Sequence, residues 1–323
     1  MKYKNLGNTD LKVSSLCLGS MQFGWTADEA LSLRILSEAY HSGINFIDTA
    51  NIYSRWAEGN PGGVSERIIG NWLKENKIPR EKIVLATKVR GNMGAGKQDE
   101  GLSRQHIMKA VEDSLRRLQT DYIDLYQAHW PDDATPIEET LSALDDLVKQ
   151  GKVRFIGASN YPAWKLMQAL WTADKAGLAR FDTLQPHFNL VHREEFERDL
   201  AEVCHIYQIA VIPYSPLAGG FLTGKYQPNL LPNSARVPGV KQYFTEQNWA
   251  LLDLMAVIAK RKGAHVSQIA LAWLISNPLV ASPIIGVNSV EQLKDNLGAL
   301  KVTLTQEEVH KLDQASRWRA ADS

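Results

Sequence analysis

Short apolar runs that stop abruptly at a polar residue recur along this chain, and stretches of helical periodicity separate them. The run 45–47 ends in Asp48, 84–87 ends in Lys88, 123–128 ends in His129, and 153–157 leads into Ser159 and Asn160. Apolar runs of this length bounded by turn signals read as buried strands. The intervening stretches carry helix start and stop signals.

In order, residues 2–6 and 11–13 flank the polar turn 7–10 and predict a β-hairpin. Strand one is 14–18, ending at 19–21. Thr26 and Glu29 form a capping-box pattern opening a helix over 30–42 that stops at Gly43. Strand two is 45–47, followed by a glycine-bearing loop and a helix over 65–75. Strand three is 84–89, with a helix from 103 to about 118. Strand four is 123–129, and Thr135, Pro136 and Glu138 read as N-cap, N1 and N3 of the next helix. Strand five (153–157), a helix (164–175), strand six (183–185), a helix (194–205) and strand seven (210–214) follow. A glycine- and proline-bearing excursion over 215–246 precedes helices at 248–262 and 266–276. Strand eight is 282–286. Ser289 and Gln292 form a second capping box, opening a helix to 297, and Thr305 starts the last helix.

Strand and helix thus alternate about eight times, the count of an α/β (β/α)8 TIM barrel, here with an N-terminal β-hairpin and extra C-terminal helices. A doubly wound sheet would place G-x-G-x-x-G after its first strand, and residues 17–21 have no such run. No linker or composition shift divides the chain, so a single barrel domain over 1–323 is expected.

Composition narrows the picture. The 323 residues are 44% hydrophobic, with 36 Lys plus Arg against 36 Asp plus Glu. A balanced charge gives no electrostatic basis for binding nucleic acid or an anionic membrane. Cys17 and Cys204 are too few for a disulfide framework and fit a reducing compartment. No apolar leader or membrane-length apolar window appears, so a cytoplasmic protein is expected.

In a barrel, the C-terminal ends of all strands open onto one face, which holds the active site. Asp48, Lys88 and His129 fall at such ends, and Tyr53 on the loop after strand two. Singly, each has an ordinary explanation as a turn cap, a snorkelling lysine or a structural histidine. Together, at matching strand ends, they form a candidate site. Asp48 would pair with Lys88, whose ammonium would lower the Tyr53 pKa and make the phenol a usable general acid. His129 would hydrogen-bond a carbonyl oxygen. No good nucleophile and no metal set is present. A group that protonates an oxygen while something else attacks the carbon points to a hydride donor.

Residues 43–53, 86–88, 123–129, 157–160, 214–217 and 286–296 resemble the aldo-keto reductase superfamily, in the family's order and across residues 2 to about 302. Residues 217–226 are similar to the bacterial branch related to potassium-channel β subunits. Those subunits carry Asn at the His129 position, and the retained histidine favours a working reductase. The resemblance implies NAD(P)H-dependent reduction of a small-molecule carbonyl, with Asp48, Tyr53, Lys88 and His129 as the catalytic set.

The resemblance also implies a cofactor site. Ser159, Asn160 and Gln185 would hold the nicotinamide carboxamide, and Tyr214 would stack on its ring. Ser215, Leu217 and Gly219 would meet the pyrophosphate, with Lys225 adding charge. Gly286, Asn288, Gln292, Asp295 and Asn296 would surround the adenosine, and Met21, Asp48, Pro216 and Ala218 complete the set. Relatives grip the NADP 2′-phosphate with basic residues where this chain has Gly286 and Gln292, so Lys225 and Arg236 would take that role. Position N3 of the Ser289 box explains Gln292 without a ligand, and Asp295 and Asn296 could face solvent. NADPH is the favoured cofactor, with NADH the alternative. Trp25, Trp56 and Trp130, on loops after strands one, two and four, are candidate substrate walls. Two other readings stay open: an NADPH-binding sensor with little turnover, and a Schiff-base lyase using Lys88. The substrate and the oligomeric state are not assigned.

Overall fold

The computed structural model describes residues 1–94, 96–227 and 237–318. A hairpin of β1 (Tyr3–Asn5) and β2 (Lys12–Ser14) comes first, antiparallel, with Lys4 opposite Val13. β3 (Cys17–Gly19), α1 (Glu29–His41), β4 (Phe46–Asp48), α2 (Val64–Glu75), β5 (Val84–Val89), α3 (Arg104–Leu118), β6 (Ile123–Ala128) and α4 (Ile137–Lys149) follow in alternation. β7 (Val153–Ser159), α5 (Ala163–Ala176) and β8 (Phe181–Gln185) continue it. A π-helical turn at Phe196–Leu200 runs into α6 (Ala201–Tyr207), before β9 (Ala210–Val211). After the excursion come α7 (Val237–Val240), α8 (Glu246–Lys262), α9 (Val266–Ser276), β10 (Ile284–Gly286), α10 (Val290–Leu297) and α11 (Gln306–Ala315).

The eight strands β10-β3-β4-β5-β6-β7-β8-β9 are parallel neighbours. The ends of that order meet. Val211 bridges Val280, the Ala281 amide donates to Val211 O at 2.8 Å, and the Ile284 amide donates to Pro213 O at 2.9 Å. The sheet therefore closes into a (β/α)8 barrel, which removes its edges.

The hairpin plugs the N-terminal end. Leu6, Leu11 and Val13 pack with Cys17, Phe46, Val84 and Leu125 inside the barrel, and Lys4 Nζ reaches Val280 O at 3.1 Å. A second, larger core fills the space between strands and helices, with Leu18, Leu85, Ile123, Leu144 and Leu184 among its buried members. That layering explains why the strands read as apolar runs: both faces are covered. With the bottom sealed, polar residues of the strands gather at the opposite end.

Several boundaries differ from the sequence reading. The first helix is capped by Asp28, whose Oδ1 accepts from the Leu31 amide at 2.8 Å; Thr26 instead donates to Asn288 Oδ1 at 2.6 Å. Thr135 does not cap the fourth helix, because its hydroxyl donates to Asp132 Oδ2 at 2.8 Å and Pro136 takes the cap position. Ser289 caps α10, yet the Gln292 side chain accepts from the Asn288 amide at 2.8 Å, one residue before the expected partner. The Thr305 helix forms its capping box with Glu308. No helix among the described residues is long and apolar enough to cross a membrane.

Candidate active site

Asp48 is the last residue of β4, in register with Ala86 on β5 and Gly19 on β3. Only 1% of it is exposed. A carboxylate so buried needs paired and hydrogen-bonded partners. Its Oδ1 accepts from Lys88 Nζ at 2.5 Å. Its Oδ2 accepts from Gln185 Nε2 at 2.9 Å and Gln127 Nε2 at 3.1 Å. Lys88, on β5 and fully buried, donates further to Thr49 O at 2.9 Å and to the Tyr53 hydroxyl at 2.8 Å. An ammonium has three N–H bonds, and here each has a partner.

The backbone places Tyr53 over this ammonium. The Asn51 amide donates to Lys88 O at 3.3 Å, the Tyr53 amide turns back to Ala50 O at 3.2 Å, and Ser54 adopts a left-handed φ of 66°. The Ser54 hydroxyl contacts Met21 O (3.0 Å) and Phe23 O (2.8 Å), tying this loop to the one after β3. His129 follows β6, its amide on Val89 O at 2.9 Å, and its ring stands edge-on to Tyr53 with centroids 5.8 Å apart.

Electrostatics divide these groups. For Lys88, burial alone would favour the neutral amine, but Asp48 and Tyr53 outweigh it and hold the ammonium's pKa above its ordinary value. Burial raises the Tyr53 phenol above its usual pKa, and Lys88 offsets only part of that. The expected net lowering of Tyr53 is therefore reversed: desolvation exceeds the attraction of one ammonium already shared with a carboxylate. Burial, then Lys88 and Arg90, push His129 down to about 3, so its imidazole is neutral near pH 7. The phenol is likewise protonated there. The trio is an ammonium, an intact phenol and a neutral imidazole.

A cavity of about 660 Å³ opens above this group. Asp48, Tyr53, His129 and Trp130 line it, together with Met21, Ser159, Asn160, Gln185, Tyr214, Ser215, Pro216, Leu217, Gly219 and Lys225. Gly286, Asn288, Gln292, Asp295 and Asn296 line it from the side of β10 and α10. Lys88 lies beneath, behind Asp48 and Tyr53. Ala218 is buried within the turn after Tyr214, at φ 49°. Arg236 lies outside the described residues. Trp25 and Trp56 stand apart from the cavity wall in an aromatic run: Trp56 meets Tyr53 at 6.4 Å and Trp25 at 5.7 Å, both edge-on.

Many wall residues are already held by the protein. Tyr214 donates to Asn160 Oδ1 at 2.9 Å, and Asn160 Nδ2 donates to His129 O at 2.9 Å and Ser159 Oγ at 3.0 Å. Behind Tyr214, His187 stacks at 5.1 Å and His192 stacks on His187 at 3.8 Å. The Asp295 carboxylate accepts from His265 Nδ1, from Ser267 Oγ at 2.6 Å and from Gln268 Nε2 at 3.1 Å, so it organises the start of α9.

Sequence reasoning missed several members. Gln127 is a fully buried amide that also accepts from Gln185 Nε2 at 3.1 Å. Its only signal was a second polar residue, after Asp124, inside the mostly apolar run 123–128. Gln22 lines the cavity and is 5% exposed, and its Oε1 has no hydrogen-bond partner. Gly286 makes room for it, since a Cβ there would lie 2.3 Å from Gln22 Nε2. His265 and Glu291 also line the wall. Nothing local in the sequence marks these three.

The turn after Tyr214 has left-handed φ at Ser215 (53°), Ala218 (49°), Gly219 (65°) and Gly220 (98°). Such turns gather backbone N–H groups into an anion-receiving concavity. Together with the long cavity and the unpartnered Gln22 acceptor, this arrangement fits a dinucleotide carrying a pyrophosphate and hydroxyl donors.

The chain is similar to known proteins over most of its length. The Aldo/keto reductase family model matches residues 15–317. The oxidoreductase YrpG of Bacillus subtilis is 40% identical over 311 residues, covering 95% of this chain and 93% of that protein. Versiconal hemiacetal acetate reductase of Aspergillus parasiticus is 36% identical over 341 residues, covering 97% and 96%. Protein tas of Escherichia coli is 37% identical over 331 residues, covering 95% of each.

Proposed function

Since the chain belongs to the aldo/keto reductase family, we propose that it is a single-domain NAD(P)H-dependent carbonyl reductase, favouring NADPH, in which Tyr53 is the proton donor. The observation that carries this reading is the Lys88 ammonium, bonded at once to Asp48, Thr49 O and the Tyr53 hydroxyl.

The cleft residues fit a nicotinamide dinucleotide: the Ser215–Gly220 backbone would hold the pyrophosphate, and Ser159, Asn160, Gln185 and Tyr214 would hold the nicotinamide. When bound, a reduced nicotinamide supplies the hydride for the carbonyl carbon. The protein's own groups manage the oxygen. His129, neutral, donates a hydrogen bond to the carbonyl oxygen and polarises it. As negative charge develops there, that oxygen becomes a stronger base than a phenolate, and the Tyr53 proton moves to it. Lys88 stabilises the phenolate left behind, and Asp48 keeps Lys88 charged and fixed. Solvent then returns a proton to Tyr53.

The raised phenol pKa suits this direction, because the acid must be protonated before reaction. The occupied N–H bonds of Lys88 argue against Schiff-base chemistry, which needs a neutral amine with a free lone pair. Relatives named as reductases are in keeping with the reading.

The test is nucleotide fluorescence on titration of the purified protein with NADPH and then NADH, followed by a 340 nm assay with an aromatic aldehyde. Binding with turnover supports the proposal. Tight binding without turnover on a broad carbonyl panel favours a sensor, and no binding of either nucleotide overturns both.

A further inference from the structure

We infer that His187 is a positioning residue: stacked against Tyr214 from behind, it holds that ring in place to receive the nicotinamide of the cofactor. The inference rests on the dinucleotide reading above and adds to it a residue outside the cleft that governs one end of the ligand.

The backbone brings the two rings together. The Tyr214 amide donates to Pro186 O at 3.0 Å, and His187 and Tyr214 form a parallel bridge just beyond the ends of β8 and β9. Paired positions on neighbouring strands put their side chains next to each other. The ring centroids lie 5.1 Å apart with 13° between the planes, an offset stack of the favourable kind. Tyr214 lines the cavity and His187 does not, so the imidazole stands on the side of the ring away from the ligand.

His187 is itself held. Asn189 is fully buried, and its Nδ2 donates to Ser215 O at 2.9 Å and to His187 Nε2 at 3.3 Å, while its Oδ1 accepts from the Val191 amide at 2.9 Å. An amide nitrogen can only donate, so Nε2 is the acceptor and the ring proton sits on Nδ1. Burial, and then His192, lower the His187 pKa to about 4, so this neutral tautomer is the form present near pH 7. His192 stacks on His187 at 3.8 Å and 18°, and its own Nε2 meets Glu195 Oε2 at 3.0 Å.

The Tyr214 hydroxyl donates to Asn160 Oδ1 at 2.9 Å, which fixes only the tip of the side chain. The stack fixes the plane of the ring. A ring fixed in advance loses no rotational freedom when a flat ligand arrives. The neutral imidazole suits this role, because it supplies a flat contact without placing a cation near a nicotinamide, which is itself cationic when oxidised.

The test is calorimetric titration of the full chain with NADPH or NADH, whichever binds, and with the fragment of that cofactor lacking nicotinamide, 2′-phospho-ADP-ribose or ADP-ribose. His187→Leu keeps much of the bulk but not the flat ring. It should weaken the whole cofactor about two- to tenfold, the worth of one aromatic pair, and leave the fragment unchanged, which also reports an intact fold. His187→Phe, which restores a flat ring, should recover most of the loss. A residue that merely fills space would separate neither Leu from Phe nor the cofactor from its fragment. Wild-type affinity of His187→Leu for the whole cofactor, an equal loss on both ligands, or no recovery in His187→Phe would overturn the inference while leaving the reductase reading standing. A wild-type protein that bound neither NADPH nor NADH would bring down both.

Discussion

Lys88 Nζ lies 2.8 Å from the Tyr53 hydroxyl and 2.5 Å from Asp48 Oδ1, so one buried ammonium joins a carboxylate to a phenol across 35 and 40 residues of sequence. The Asp48 side keeps the lysine charged inside the barrel. The Tyr53 side places that charge where a phenolate would form. The same nitrogen therefore accounts for the pair's tolerance of burial and for the site's chemistry.

Tyr53→Phe keeps the ring and its edge contact with His129 but removes the proton. General-acid catalysis of this kind contributes about a hundred- to ten-thousandfold, so kcat should fall by that order while NADPH affinity, read by fluorescence, stays unchanged. A Phe variant with wild-type turnover would end the assignment.

His129 has a folded pKa of about 3 against an ordinary 6.5. A depressed histidine means the unfolded chain binds the proton first as pH falls. Its effect is absent above about 6.5 and grows as acid destabilisation between there and about 3. His129→Gln should make the urea midpoint less sensitive to acidification over that window. Identical acid slopes for the two proteins would contradict the shift.

Gln127→Leu removes a donor to Asp48 Oδ2 and an acceptor for Gln185 Nε2. Leaving such buried partners short costs about 1–3 kcal/mol, so urea unfolding should show a loss of that size together with reduced kcat. No change in either would mean that the amide layer supports nothing.

Gly286→Ala puts a methyl group 2.3 Å from Gln22 Nε2. Gly286 is itself exposed and the methyl group meets only the far end of the Gln22 side chain, so the cost should fall at or below the low end of the about 1–3 kcal/mol typical of overpacking. The double variant with Gln22→Ala should recover part of it. A double-mutant cycle with no coupling would show that the contact is relieved elsewhere.

Much of this was legible in the chain. Strands covered on both faces must read as apolar runs, so the first polar residue after each run marks the open end of the barrel. Asp48, Lys88, His129 and Ser159 followed from that regularity, and alternation with helices gave the fold class. Tyr53 followed more loosely, from its place on a loop after such an end.

What the tertiary structure decided depends on groups distant in sequence meeting in space. Closure of the barrel rests on bonds such as Ala281 to Val211, which no local pattern encodes. His265 and Asp295 are 30 residues apart on different helices, and Gln22 meets Gly286 only because β3 and β10 are neighbours. The direction of the Tyr53 shift was misread for the same reason. Sequence can place a cation near a phenol, but how much water is removed from both is a property of the packed molecule, and here that desolvation prevails. Periodicity along one chain therefore determined the scaffold and the polar strand ends, whereas proximity and burial, which arise only on folding, determined what those ends can do.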